Sequence, residues 1–106
     1  MNTYIIDRNG NRYDFKKLPL KKTLEIQNRL VKNNENVEVV FDIFKEIFMT
    51  QNPTYDISNF DNDILEYNYE ELGLTKLIEL INAITEEVFQ LKETNTTLKY
   101  AFLQKE

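Results

Sequence analysis

The chain has no cysteine and no histidine. Without cysteine there is no disulfide framework, no thiol nucleophile and no thiolate metal site. Without histidine the commonest general base and the commonest neutral metal ligand are both missing. Glycine and proline occur only twice each, as Gly10, Gly73, Pro19 and Pro53. An all-β domain needs many turns and so more of both. Two distant glycines also cannot assemble a phosphate-cradling loop. No apolar run is long enough to span a membrane, and the opening MNTYIIDRNG lacks the apolar stretch of a signal peptide. A reducing cytosol is the expected setting, with no cofactor and no membrane partner.

What is present favours helix. Leu, Ile, Glu, Lys and Asn are abundant, and 106 residues suit a single domain, residues 1–106, with one modest core. The fold expected is mainly α: an N-terminal β-hairpin, then three main helices and one or two short ones. Thr3 to Ile6 is β-prone, and Arg12-Tyr13-Asp14-Phe15 alternates polar with aromatic. Asn9-Gly10 between them is a strong turn dipeptide, so a hairpin is predicted over about 3–15. An isolated hairpin is barely stable in water. This one must therefore lie on the helices or pair with a neighbouring subunit.

The first helix is expected over about 20–32, starting beside Pro19. Leu20, Leu24, Val31 and Leu30 form its apolar stripe, with Ile26 off it. The second, 37–50, carries Val37, Val40, Phe41, Phe44, Ile47 and Phe48 at spacings of three and four, which places them on one face. Ile43 and Met49 widen that face. Short helices fit within 53–66, and Gly73 reads as a break. The third long helix, 74–93, presents Leu74, Leu77, Ile78, Ile81, Ile84, Val88 and Leu91 together, with Leu80 and Phe89 to one side. A tail over 94–106 ends the chain.

Net charge is −5, which argues against nucleic acid as the main partner. The charge is also divided. Residues 1–32 hold eight basic and three acidic side chains, net +5, and the remainder holds five basic and fifteen acidic, net −10. Such a division suits head-to-tail self-association. The basic group is Lys16, Lys17, Lys21 and Lys22, and Asp61, Asp63 and Glu66 are its acidic counterparts. Ordinary solvated faces are the alternative reading. Asp61 and Asp63 are also the nearest approach to a catalytic or metal-binding carboxylate pair. Their segment lacks the glycine and closing glutamate of a calcium loop, so surface acidity accounts for them and no enzyme is expected.

Thirteen aromatics, seven Phe and six Tyr, are many for one small core. Those on the central helix fit the interior. Phe89, Tyr100 and Phe102, with Leu98 beside them, are better placed to meet a partner.

The opening TYIIDRNGNRYDFKKLPLKKTLEI resembles the start of tail assembly chaperones from long-tailed phages of Gram-positive bacteria. The shared features are a short strand (Tyr4 to Ile6), an Asn9-Gly10 turn, a YxF strand (Tyr13 to Phe15), Lys16-Lys17, and Leu18 leading into a helix. The later order is also similar: an apolar central helix, an acidic irregular stretch, and a helix of the type LTKLIELINAITEEVF. The resemblance implies a chaperone that binds the apolar helical tape-measure protein in the host cytoplasm and is absent from the mature virion. Such chaperones act as oligomers, and many are also made in a longer frameshifted form. An oligomer built through a heterologous contact is a ring or an open helix. A small acidic helical regulator that inhibits a host protein is the alternative from another class.

Overall fold

The hairpin is organised by one carboxylate. In a computed structural model, which describes residues 3–32 and 37–89, β1 (Tyr4–Ile6) pairs antiparallel with β2 (Arg12–Asp14), Ile5 opposite Tyr13. Gly10 takes a positive φ of 86° in the connecting loop, a conformation that costs glycine little. Asp7 is 2% exposed and accepts from the backbone N–H groups of Asn9 and Asn11, the Asn11 side chain and the Tyr13 hydroxyl. Its own N–H donates to the Asn11 carbonyl at 2.9 Å, closing the loop.

Among the described residues four α-helices follow: α1 (Leu20–Lys32), α2 (Val37–Gln51), α3 (Tyr67–Leu72) and α4 (Leu74–Phe89). The molecule is mainly helical behind an N-terminal hairpin, as composition and periodicity predicted. Pro19 directly precedes α1 and accepts from Thr23. Residues 90–93 of the last predicted helix lie outside the described residues, as does the tail.

Between α2 and α3 the chain is helical in three modes. A 3-10 turn at Ile57–Asn59 is capped by the Asp56 carboxylate, a π-helical stretch runs over Asp61–Glu66, and α3 continues it. The short helices predicted within 53–66 therefore begin later and extend six residues further, to Leu72. Gly73, at φ 84° and ψ 166°, ends α3 and releases the chain into α4.

The core draws on the N-terminal region, α1, α2, the connecting segment and α4, while α3 adds no buried apolar residue to it. Ile5, Phe15 and Leu18 come from the N-terminal region and Ile26 from α1. Ile43, Phe44, Ile47 and Phe48 come from α2, and Phe60 and Ile64 from the connecting segment. Leu77, Ile81, Ile84, Val88 and Phe89 come from α4. Rings of Tyr13, Phe15, Phe44, Phe48, Tyr55 and Phe60 pack at tilted or edge-on angles, with centroids 4.9–6.3 Å apart. That geometry lets a ring edge meet a neighbour's face. The hairpin lies on the helices, one of the two arrangements its small size required.

Two expectations about faces, on α1 and α4, are corrected. On α1, Leu20 and Leu24 are 73% and 48% exposed while Ile26 is fully buried. Lys22 and Arg29, about one turn to either side of Ile26, both bind Glu46 of α2, so this side of α1 faces α2. Side chains of Leu30 and Val31 lie outside the described part. On α2, Ile43 is buried with Phe44, Ile47 and Phe48 and so widens the apolar face as expected. On α4, Leu74 is 50% exposed, since it sits at the first turn beyond the packed layer.

Candidate partner-binding surface

The hairpin tip is clamped by the acidic segment. Arg8 donates its backbone N–H to the Asp63 carbonyl at 2.9 Å. Its guanidinium donates to the Asn62 carbonyl and the Glu70 carboxylate, and stands 5.5 Å above the Tyr67 ring. Asn68, 6% exposed, donates to the Ile6 carbonyl at 2.9 Å and the Ile64 carbonyl at 2.7 Å. Buried amides carry such bonds because leaving them unpaired is costly. At the other end of β1, Thr3 donates its N–H to Glu87 of α4 at 2.7 Å.

These contacts hold β1 beside α3 and α4 and leave a groove of about 550 Å³ between them. Its walls include Tyr4, Ile6, Asn68, Leu72, Lys76 and Leu80. Tyr69, Leu72 and Leu74, around the Gly73 junction, are 39–50% exposed, and Tyr4 is 41% exposed. Pattern reading did not assign these residues to a partner surface, and placed Leu74 on the apolar face of the last helix. The available signal was Gly73 itself, since a helix break leaves flanking apolar side chains without a continuous stripe to join.

A second apolar exposure is the Leu20–Leu24 pair on α1. One helical turn apart, the two lie on the same face.

Of the predicted contact residues, Phe89 is buried at 8% exposure and belongs to the core. Its assignment to an outward surface is corrected: it lies one position beyond Val88 and four beyond Thr85, on the buried side of α4. Leu98, Tyr100 and Phe102 lie outside the described residues.

The charged residues divide by what they already hold. Lys22 binds Glu46 and approaches Glu25, and Asp63 faces Arg8 at 3.9 Å, so both serve within the chain. Asp61 is 77% exposed and loosely paired with Lys45 at 3.7 Å. Glu66 is exposed. Lys16, Lys17 and Lys21 are exposed and have no side-chain ion pair among the described residues. Lys16 is fixed through its backbone, whose N–H and C=O both meet the Gln51 amide at 2.7 Å.

Titration behaviour follows this geometry. Burial pushes Asp7 upward, but the bonds from Asn11, Asn9 and Tyr13 outweigh it and leave the carboxyl below its ordinary value. Burial likewise opposes Glu46, and the Lys22 and Arg29 bonds more than compensate. Tyr55 is pushed up to about 12, first by burial and then by the Asp63 charge. Among the described residues no group of His, Cys, Asp and Glu is arranged to hold a metal ion, and no helix is long and apolar enough to cross a membrane.

Comparison with known proteins finds no matching family model, no matching curated protein and no matching solved structure.

Proposed function

We propose that this chain is a tail assembly chaperone that binds and solubilises the tape-measure protein of a long-tailed phage. The observation that carries the reading is the Tyr4-to-Leu18 pattern, whose resemblance to such chaperones includes both strands, the turn and the lysine pair. Further support comes from apolar side chains held outward on rigid elements, at Leu20 and Leu24 and around Gly73. A long apolar helix aggregates when exposed, and outward apolar surface on a folded domain can cover it, as in helix-in-groove recognition. One domain of this size covers little of such a client. Many copies act together in the proposed mechanism, as a ring or an open helix.

Contact between copies is assigned to the free lysines Lys16, Lys17 and Lys21 of one and the acidic segment carrying Asp61 and Glu66 of the next. The proposed setting is the host cytoplasm, with the chaperone leaving before the virion is complete. Co-expression with the tape-measure protein of the same gene cluster tests the reading. The expected result is a soluble client that co-purifies with the chain. An insoluble client and no complex would overturn it.

The exposed acidic side chains Asp61, Glu66, Glu70 and Glu71 support the second reading, a regulator that binds a basic surface on a host protein. Capture of one host protein, with no tail genes present, would favour it over the chaperone.

A further inference from the structure

Two exposed apolar patches lie at opposite ends of α4. The first is the Leu20–Leu24 pair in the opening turns of α1, 73% and 48% exposed. Leu18, two residues before it, donates its N–H to the Val88 carbonyl in the last turn of α4. The second patch is Tyr69, Leu72 and Leu74, which flank Gly73 where α4 begins. The 16 residues of α4 set the two patches about 24 Å apart at a helical rise of about 1.5 Å per residue. One molecule therefore cannot cover its own patches with each other. Their charged neighbours differ in sign. Lys16, Lys17 and Lys21, all exposed, flank the first patch, and Lys21 shares a side of α1 with Leu24 three residues on. Glu25, the acidic neighbour there, approaches Lys22. Glu66, Glu70 and Glu71, all exposed, lie beside the second patch, with Lys76 one turn into α4.

We propose that the Leu20–Leu24 patch of one copy docks on the Tyr69, Leu72 and Leu74 patch of the next. The proposed function joins copies by charge alone. Here the join gains an apolar centre, and the lysines and glutamates become its rim, as in protein interfaces generally. The contact rests on the self-association in that reading and needs no client. Charge complementarity favours a second copy as the occupant, because one chain carries both an apolar patch edged with lysine and one edged with glutamate. It also decides the symmetry. A two-fold contact of either patch with itself would set lysine against lysine or glutamate against glutamate, and like charges so placed repel. Only the unlike patches match, so the contact is heterologous. A copy engaged at one end of α4 keeps its other patch free, and addition continues until a ring closes or a helix grows. The join takes Leu72 from the edge of the groove and leaves its walls Tyr4, Ile6 and Leu80 open for a client.

Sedimentation velocity of the purified full chain at low salt tests it. Three proteins are compared: the parent, the double variant Leu20→Ser, Leu24→Ser, and the double variant Leu72→Ser, Leu74→Ser, each checked for helix content by circular dichroism. The four leucines are 39–73% exposed, so the fold should survive both changes. The parent should sediment as species that grow with concentration, and each variant should associate at least about tenfold more weakly. An equimolar mixture of the two variants contains one intact pair of patches. It should form a 1:1 heterodimer and nothing larger. A monomeric parent overturns the proposal, as do variants that assemble like the parent or a mixture without heterodimer. A monomeric parent that floats with phosphatidylserine vesicles, and loses this with Leu20→Ser, Leu24→Ser, also overturns it and assigns the first patch to lipid. An insoluble client in the co-expression test alters none of these outcomes, so the two readings fail separately.

Discussion

At the scale of single residues, Asp7 and Tyr55 are opposite cases of burial. The Asp7 carboxylate is almost fully enclosed and accepts four hydrogen bonds, so each lost bond strands a donor in the loop. Asp7→Ala should destabilise the protein by about 2–3 kcal/mol, measured by urea unfolding. Asp7 and Glu46 both titrate below their ordinary values of 3.8 and 4.5 in the folded state. The stability they contribute is therefore complete above those values and is lost as pH falls through the lower folded values. Acid unfolding monitored by circular dichroism should begin below about pH 4, and in Asp7→Ala it should depend less on pH. The Tyr55 hydroxyl, by contrast, is buried with no hydrogen-bond partner among the described residues. Tyr55→Phe should raise stability by about 1 kcal/mol in the same urea assay, because the unpaired hydroxyl is removed and the ring contacts with Phe48 and Tyr13 remain. The Asn9-Gly10 turn was readable from its two residues. Nothing in the local sequence marks Asn68 as a buried clamp, because its partners Ile6 and Ile64 come together only in the folded chain.

At the scale of elements, α1 shows why periodicity alone leaves a helix's rotation open. The helix carries several apolar residues at helical spacing, and two faces are available to the core. In the folded chain the face bearing Ile26 is buried, flanked by the pairs of Lys22 and Arg29 with Glu46. Ile26→Ala should cost about 2–4 kcal/mol by the loss of buried methyl groups and the cavity left behind. Leu20→Ala and Leu24→Ala should stay within about 0.5 kcal/mol of the parent, as exposed substitutions do. A stripe running through Leu20 and Leu24 would reverse that order. The α3–α4 junction depends on backbone conformation rather than packing. No atom lies within 4 Å of where a Gly73 Cβ would sit, yet its φ of 84° with ψ 166° is a region almost confined to glycine. Gly73→Ala should therefore destabilise by about 1–3 kcal/mol despite the open space, and Gly73→Ser by a similar amount, in thermal unfolding. α2 and α4 were legible in outline because their apolar residues recur without interruption. The segment 51–72 was not, since its buried residues Phe60, Ile64 and Asn68, although four apart, are only three and one of them is polar.

At the scale of the whole molecule, the charge division is reduced once internal pairs are removed. Arg8, Arg12, Lys22, Arg29 and Lys45 already face carboxylates of their own chain, which among the described side chains of the basic third leaves Lys16, Lys17 and Lys21 as the basic patch. If copies join through that patch, light scattering should show larger particles at low salt and monomers at high salt, as screening shortens the reach of exposed charges. Replacing the three lysines with glutamate should abolish the salt dependence while leaving the helix content unchanged. Particle size that does not change with salt would remove charge as the basis of assembly.

The sequence by itself determined the helical class, the hairpin, the apolar faces of α2 and α4 and the shortage of reactive side chains. These depend on composition and on spacings within one element, where neighbours in sequence are neighbours in space. The tertiary structure alone decided which side of α1 is buried, that Phe89 belongs to the core, and that Arg8 and Asn68 hold the hairpin to the acidic segment. It alone set two exposed apolar patches at opposite ends of α4. Each of these rests on a contact between residues far apart in the chain, and no local pattern encodes it.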